Sequence, residues 1–365
     1  QTRILDPLGM VNTHPVITFE TRKKAAIGYC SLYDDRPEHP SHELVPAMWS
    51  EYGTGDGCQA STAEDMAIYL RMLINRGRGP RGPLISEESF RLLAPLAARS
   101  SSEIYGYALV AYPVAGHVFL GHGGGNTGYT AHIMANVDEG LGVVHLSNRR
   151  TESQAVFQSA EYALKVIQAA YHNKGIPPVP PTADPSYIPN AADYAGTFRS
   201  GNSVLQLKAE GEKLLLEYEG KIIPLERNSE DSFYIGHPDL DLFLLEFFRY
   251  GKEVVEVFHG SRWYINDRYK GPMHFDYPEE WETYLGHYRT RNPEMSNFRV
   301  VLRKGILTML GPTGAVEPLR PLGNGLFHIG DEHESPEILR FDTVVEGRAF
   351  RASYSGCPFY RTFTE

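Results

Sequence analysis

The chain has 365 residues, of which 42% are hydrophobic, and a formal net charge of −10. This length is typical of about two or three domains with apolar cores. Because no basic block stands out against the acidic balance, we expect no nucleic-acid partner, and no apolar run reaches the length of a membrane span. Cys30, Cys58 and Cys357 are too widely spaced for a disulfide framework or a paired-cysteine metal site.

Roughly the first 60 residues contain several prolines and few periodic apolar positions, which predicts irregular structure. His39 and His42 raise the question of a metal site, but Pro40 opposes the helix that a histidine pair at this spacing favours. An exposed polar loop is therefore the preferred interpretation. The loop 57–60 contains Gln59, which either faces a binding cleft or makes a simple loop contact.

Two helices are predicted next. Ser61 and Glu64 form a capping box, and apolar residues at helical spacing continue from there as far as Gly77. A second, shorter helix begins near Ser86 and ends before Pro95. Serine is favoured at both starts because its side chain accepts a hydrogen bond from a free N–H group of the first turn.

A glycine-rich stretch, residues 121–129, lies among three short β-rich runs. These runs, residues 118–120, 129–135 and 142–148, are separated by Gly, Asn and Asp, which predicts an antiparallel meander. Glycine in a strand packs nothing, so a cluster of glycines indicates a bulge or the close approach of another backbone or a ligand. No helix start and no Lys-Ser/Thr pair follows, so the stretch is not a phosphate-binding loop.

A third helix is predicted after the meander, with Thr151 or Ser153 as its cap. Its apolar residues share one face that is expected to pack on the sheet: Val156, Ala160, Ala163, Leu164 and Ile167. The proline-rich segment 175–185 then ends the first region, residues 1–174. So many prolines favour polyproline II, which predicts a semi-rigid linker.

The remaining residues contain an internal repeat at a spacing of about 90 residues. The corresponding segments are 194–199 and 284–289, 224–226 and 318–320, and 234–236 and 328–330. Each copy contains short β-runs separated by turns, which predicts two tandem all-β barrels or barrel-like meanders, residues 186–275 and 276–365. The aromatic residues expected in their cores include Phe233, Phe247, Phe248, Trp263 and Phe341.

Several segments of the first region match a known family in the family's order. They are Pro7-Leu8-Gly9-Met10, Ala26-Ile27-Gly28-Tyr29, Ser61-Thr62-Ala63-Glu64-Asp65-Met66, Tyr105-Gly106-Tyr107, His122-Gly123-Gly124 and Leu146-Ser147-Asn148. Through them the chain resembles the serine β-lactamase-like hydrolases, which include class C β-lactamases, penicillin-binding-protein-like carboxypeptidases, D-aminopeptidases and esterases. The resemblance implies an incomplete α/β fold, an antiparallel sheet with flanking helices. The barrels resemble the lipocalin-like domains appended to some D-aminopeptidases.

The chain departs from this family at the nucleophile. In the family, a Ser-x-x-Lys motif and then a Tyr-x-Asn motif precede the Pro-Leu-Gly-Met segment, which here begins near Ile4. No Ser-x-x-Lys occurs in the chain, and the Tyr-x-Asn matches at 171–173 and 264–266 are out of order. We therefore expect Gln1 to lie inside a longer protein. A missing N-terminal segment or a second chain would carry the nucleophile and pack on residues 1–170.

The resemblance also implies roles for the glycine-rich stretch. The backbone N–H of Gly125 would contribute to the oxyanion hole, and His122 would lie beside the serine as a catalytic residue. The alternative for His122 is a structural histidine next to a glycine bulge. Small residues would let a substrate backbone pair with the strand. The predicted substrate-binding residues are Gly123, Gly124, Asn126 and Gln59.

Together these features predict part of a serine hydrolase that cleaves a peptide, amide or ester bond through an acyl-enzyme, with no metal and no cofactor. The alternative is a non-catalytic binding or regulatory protein with a degenerate cleft. His132 and His145 are expected to be packing or surface residues. Loops such as 236–239 or 331–334 would limit substrate size, or the barrels would serve stability or oligomerisation. Substrate identity and localisation stay open.

Overall fold

A computed structural model of the chain describes residues 1–49, 55, 57–94, 104–114, 117–150, 153–182, 184–292, 295–332 and 334–363. The chain forms two compact units. The first contains residues 1–30 and 44–181, and the second contains residues 31–43 and 182–365. Among the described residues, no helix has both the length and the apolar character needed to cross a membrane.

The first unit combines short helices with one main sheet. The helices are α1 (Leu5–Leu8), α2 (Phe19–Arg22), α3 (Ala63–Ile74), α4 (Glu87–Leu93) and α5 (Ser153–Tyr171). The strands in this part of the chain are β1 (Tyr29–Ser31), β2 (Leu44–Pro46), β3 (Arg78–Gly79), β4 (Gly82–Pro83), β5 (Ile104–Tyr105), β6 (Val110–Val114), β7 (His117–Asn126), β8 (Tyr129–Asn136) and β9 (Leu141–Ser147).

Strands β5 to β9 form an antiparallel sheet in chain order, which confirms the predicted meander and adds two strands before it. β7 pairs with β8 without a register shift, from Phe119 opposite Asn136 to Asn126 opposite Tyr129. The glycine cluster is therefore not a β-bulge. Gly128, at a φ of +82°, lies in the two-residue turn between these strands, where a positive φ favours glycine.

Helices α3 and α5 cover opposite faces of this sheet. Leu120 and Ile133 lie in one apolar cluster with buried residues of α3. Their neighbours along the strands, Phe119 and Met134, lie in a second cluster with Leu164 of α5. Because successive strand residues point to opposite faces, the two clusters are the two sides of one sheet.

The predicted helix starts agree with the structure after one correction. Thr62, and not Ser61, caps α3, because its side chain accepts a hydrogen bond from the backbone N–H of Asp65 at 3.3 Å. Ser61 instead forms a 2.8 Å hydrogen bond with the hydroxyl of Thr13. The prediction was wrong by one residue because two adjacent hydroxyl residues can both cap a helix. Ser86 caps α4, as predicted.

The apolar face of α5 is shorter than predicted. Val156, Ala160 and Leu164 are buried, but Ile167 is 39% exposed, so the face ends about one turn earlier than the sequence indicates. The predicted cap stays a prediction, because Thr151 and the side chain of Ser153 lie outside the described residues.

A buried carboxylate joins the N-terminal segment to α3. Oδ2 of Asp65 accepts hydrogen bonds from the backbone N–H of Asn12 and from the hydroxyl of Thr13, each at 2.8 Å. Asp65 and Thr13 are each only 3% exposed. A backbone bridge between His14 and Ala60 continues this contact. These bonds place the residues that follow the Pro-Leu-Gly-Met segment against the start of α3.

We predict that Asp65→Ala lowers the free energy of unfolding by about 2–3 kcal/mol, since it leaves two donors without their charged acceptor. Chemical denaturation monitored by circular dichroism measures this. Glu64→Ala is the matched control: Glu64 is also acidic and in the first turn of α3, but it is exposed. Equal losses in the two variants would mean that the helix dipole, and not the buried contact, explains the effect of Asp65.

The second unit contains two closed eight-stranded barrels, which confirms the predicted fold class. Short helices precede them, α6 (Ala191–Tyr194) and a 3₁₀-helix (Glu279–Tyr284). The first barrel consists of β10 (Gly196–Ser200), β11 (Ser203–Glu210), β12 (Lys213–Tyr218), β13 (Lys221–Ser229), β14 (Ser232–Ile235), β15 (Leu245–Tyr250), β16 (Glu253–His259) and β17 (Arg262–Ile265). The second consists of β18 (Gly286–Arg289), β19 (Asn297–Arg303), β20 (Ile306–Leu310), β21 (Val316–Gly323), β22 (Leu326–Ile329), β23 (Ile338–Val345), β24 (Arg348–Tyr354) and β25 (Cys357–Arg361).

The sequence repeat corresponds to equivalent positions in the two barrels. Gly196 and Gly286 begin the first strand of each, with φ angles of +148° and +157° that favour glycine. Pro224 and Pro318 both lie in the fourth strand of their barrel. Each repeat is therefore one complete barrel with its preceding short helix.

Most of the aromatic residues predicted for the barrel cores are buried, with one correction. Phe233, Phe247 and Phe341 are buried, whereas Phe248 is 43% exposed. Phe247 and Phe248 are consecutive in β15, so only one of them can face the barrel interior. Trp263 is half-buried, and its indole N–H donates to Glu256 at 2.7 Å.

Residues 31–43 belong to the barrel-containing unit, where ion pairs hold them. Arg36 pairs with Asp241 at 2.7 Å, and Nε2 of His39 lies 2.9 Å from Glu226. Nδ1 of His39 lies 2.6 Å from the hydroxyl of Ser41. Since His39 is half-buried and both ring nitrogens have partners, the prediction of an exposed loop is wrong for this residue.

Candidate functional site

The second half of β7 is a sheet edge. β6 pairs with β7 only as far as Val110 opposite Gly121, whereas β8 continues to pair with it up to Asn126. Residues 122–126 therefore have a neighbouring strand on one side only, among the residues that the structure describes. The backbone groups on the other side are in the geometry that allows an added extended chain to pair with the sheet.

The glycines of β7 fall into two groups by their surroundings. A Cβ atom on Gly121 would lie 2.4 Å from a backbone oxygen of β8, and one on Gly123 would lie 3.1 Å from Nδ1 of His132. In contrast, a Cβ atom on Gly124 would meet no described atom within 4 Å, and one on Gly125 would make only a contact at 3.9 Å. Close packing thus explains the first pair of glycines. It does not explain Gly124 and Gly125, which border open space.

His122 lies where β7 becomes an edge strand, and it is half-buried. Its Nε2 is hydrogen-bonded to the hydroxyl of Tyr105 in β5. The two rings pack edge to face, with centroids 5.7 Å apart and an angle of 84° between their planes. Sequence reasoning missed Tyr105 as a site residue, because the contact depends on how β5 and β6 pair.

Asn126 connects the end of β7 to the loop before α3. Its side-chain Nδ2 donates to the sulfur of Cys58 at 3.2 Å, and its Oδ1 accepts from the backbone N–H of Thr127 at 2.7 Å. Cys58 has a φ of +58°, which is uncommon for a residue with a side chain. The loop before α3 therefore contacts the end of β7 through the side chain of Cys58. Its neighbour Gln59, predicted to bind substrate, is exposed, and its role stays a prediction.

The Gly-Tyr segment of the family match supports the same hairpin. The hydroxyl of Tyr129 donates to the carbonyl of Ala26 at 2.6 Å, and the side chain of Asn148 donates to the carbonyl of Ile27 at 2.8 Å. A Cβ atom on Gly28 would lie 2.8 Å from the ring of Tyr129, so this close packing requires a glycine. Burial raises the pKa of the Tyr129 hydroxyl, which keeps it a neutral donor.

His132 and His145 are packing residues, as the sequence predicted. Burial lowers the pKa of His132, and electrostatic interaction with His122 and His145 lowers it further, which favours the neutral imidazole. Its ring packs against Phe157 at a centroid distance of 5.2 Å. Nδ1 of His145 lies 2.6 Å from the hydroxyl of Ser159 in α5. Both side chains thus contact α5 residues.

The segments around this edge strand match a known family. Residues 1–168 match the family model described as Beta-lactamase. This region is β-lactamase-like. The β-lactamase-like region contains the whole five-stranded sheet and the glycine-rich edge of β7, and the two barrels follow it. No curated protein matches the chain.

Three solved structures similar to this chain cover different shares of it. The octameric penicillin-binding protein homologue from Pyrococcus abyssi is 24% identical over 73% of this chain and 58% of its own, with a TM-score of 0.40. A D-stereospecific amidohydrolase from Streptomyces sp. is 20% identical over 44% of this chain and 46% of its own, with a TM-score of 0.33. A class C beta-lactamase is 15% identical over 43% of this chain and 47% of its own, with a TM-score of 0.31. The chain thus spans about half the length of these proteins.

The arrangement has features that acyl-transfer chemistry uses. A strand edge that is open on one side is the geometry that an extended chain can pair with, and backbone N–H groups are the kind of donor that stabilises a developing oxyanion. His122 adds an imidazole beside that edge. A nucleophile with its base is the remaining requirement for acyl transfer, and the sequence of this chain contains no Ser-x-x-Lys motif.

We predict that Gly121→Ala lowers the free energy of unfolding by about 1–3 kcal/mol, because its Cβ atom overlaps a backbone oxygen of the paired strand. Gly124→Ala is the matched control on the same strand, and it should leave stability unchanged or slightly raised. Denaturant unfolding of the two variants measures the difference. A similar loss in Gly124→Ala would mean that packing within the chain, and not open space, explains that glycine.

Proposed function

We propose that the β-lactamase-like region is the carbonyl-binding half of a serine hydrolase active site. The observation that carries this proposal is the open edge at residues 122–126, with His122 at its start and glycines that packing does not explain. The substrate is a peptide, amide or ester whose backbone lies along this edge. The family match at residues 1–168 supports the assignment to a serine hydrolase.

In the proposed reaction, the oxygen of an activated serine attacks the substrate carbonyl carbon. The N–H of Gly125 and the N–H of that serine donate to the resulting oxyanion. When the carbonyl re-forms, the amine or alcohol leaves with a proton and the acyl group stays on the serine. Water then attacks the acyl-enzyme and releases the acid. His122 polarises the hydrogen-bond network or meets a substrate carboxylate, while Gly123, Gly124, Asn126 and Gln59 contact the substrate.

The serine and its base belong to a segment upstream of residue 1 or to a second chain. Large exposed apolar side chains in the first thirty residues support a covering segment, because apolar surface of this kind is where partners pack. These side chains are Ile4, Val11, Val16, Phe19 and Ile27.

A second candidate function is supported by a different observation. The chain has no Ser-x-x-Lys motif and still presents an open edge and two closed barrels, which fits a non-catalytic binding or regulatory protein. In that case the edge captures an extended peptide and releases it unchanged.

Acylation separates these two functions. We expect the chain, joined to or mixed with the segment carrying Ser-x-x-Lys, to hydrolyse at least one of three chromogenic probes: p-nitrophenyl acetate, D-alanine p-nitroanilide and nitrocefin. Mass spectrometry should detect an acyl adduct on the motif serine. Substituting that serine with alanine is the control. A complete protein that binds peptides but forms no adduct and turns over no probe would support the binding function instead.

For His122 we expect His122→Ala to lower kcat/KM of the complete protein by about 100-fold or more, the scale of a positioned acid–base or electrostatic group. Thermal unfolding should change little. His117→Ala is the control, because His117 is an exposed histidine at the other end of β7. Wild-type turnover of the His122 variant would assign this residue a structural role.

A further inference from the structure

The contact between Tyr105 and His122 is part of the local fold. β5 pairs with β6 through Ile104 opposite Ala111 and Tyr105 opposite Val110, and β6 then pairs Val110 with Gly121. Tyr105 therefore lies two strands away from the residue that precedes His122. A backbone hydrogen bond from the N–H of Gly106 to the carbonyl of Leu109, at 2.8 Å, closes the turn after Tyr105. Sheet pairing thus brings the end of β5 close to the start of the open edge, and the hydroxyl of Tyr105 reaches the imidazole there.

Two aromatic residues with different surroundings lie in this turn. Tyr105 is 64% exposed, and its hydroxyl is bonded to Nε2 of His122. Tyr107 is 81% exposed. Hydrogen bonds of exposed groups contribute little to the free energy of unfolding, since water replaces them readily. The hydroxyl of Tyr105 is therefore expected to contribute little to the free energy of unfolding.

We propose that Tyr105 is a positioning residue that fixes the ring orientation and the tautomer of His122. This inference rests on the proposed function, because it assigns a task to His122 within that site. The edge-to-face contact with Tyr105 holds the plane of the imidazole. The hydroxyl engages Nε2, and in the proposed site Nδ1 is the ring nitrogen that bonds to a substrate or to the serine network.

The chemistry of the two groups explains how one hydrogen bond fixes a tautomer. A neutral imidazole carries its proton on one nitrogen and accepts with the other. A phenol is a stronger hydrogen-bond donor than acceptor, so the hydroxyl of Tyr105 donates to Nε2 and the single proton of the neutral ring lies on Nδ1. Nδ1 is then a donor. Without the hydroxyl, His122 populates both tautomers and turns more freely.

The first test needs no turnover and uses the chain of residues 1–365. Side-chain ¹⁵N NMR of His122 reports its tautomer directly. We expect one dominant tautomer in the wild type and in Tyr107→Phe, which removes a hydroxyl from the same turn, and a mixture in Tyr105→Phe. The same tautomer population in all three proteins would overturn the proposal.

The second test measures the pH profile of kcat/KM in the complete protein. We expect Tyr105→Phe to change the shape of the profile and to lower kcat/KM about 10-fold. This is the lower end of the loss caused by removing the hydrogen-bonding partner of a metal-bound histidine. Tyr107→Phe should match the wild type. An unchanged rate and profile in Tyr105→Phe, with an active wild type, would overturn the proposal. If the wild-type complete protein has no activity, the proposed function fails, and the tautomer measurement still decides whether Tyr105 positions His122.

Discussion

The uninterrupted pairing of β7 with β8 determines where every group of the candidate site lies. Because the register does not shift between Phe119 and Asn126, the side chains alternate strictly between the α3 face and the α5 face. His122 is thereby kept off the face on which His132 packs against Phe157. A one-residue slip in the register would move His122 to the α5 face. It would also remove Gly121 from the position where β7 passes close to a backbone oxygen of β8. The apolar residues earlier in the same strand, Leu120 and Phe119, hold the register.

An open edge at residues 122–126 is costly for a folded chain, and the strand itself carries none of the usual protections. Natural sheets protect their edges with lysine, proline, bulges or a covering element, because an unpaired strand recruits other chains. Here the edge contains three glycines, a histidine and an asparagine, and its pairing with β8 has no bulge. Glycine also weakens a strand, since it loses more conformational entropy on folding than other residues. The open edge and the entropic cost of its glycines occur at the same residues. This combination is consistent with an edge that binds another backbone.

Much of the fold can be predicted from the sequence because local patterns specify it. Alternating and β-rich runs predict the meander. Hydroxyl residues before a periodic apolar pattern predict α3 and α4, and the internal repeat predicts the two barrels. The misses have a common cause, which is that they depend on tertiary pairing. Ser61 and Thr62 are equivalent as caps until Thr13 engages the former. The contact of Tyr105 with His122 requires three strands to be aligned, and no spacing along the chain encodes it.

The position of loop 31–43 in the barrel-containing unit could not be predicted from the sequence. The polar composition around His39 and His42 indicated solvent exposure, yet charged residues of the loop have partners that lie far along the chain in the barrel-containing unit. Burial alone would raise the pKa of Asp35, but the hydrogen bond and charge of Arg36, together with Arg299, bring it below its ordinary value. Burial lowers the pKa of Arg299, which Asp35 partly offsets. A buried guanidinium that lost its carboxylate would pay an uncompensated desolvation cost, so these pairs fix the position of the loop even where they add little net stability. Charge patterns along a sequence do not indicate which opposite charge will be near in space, and for this reason the loop's attachment is visible only in the folded structure.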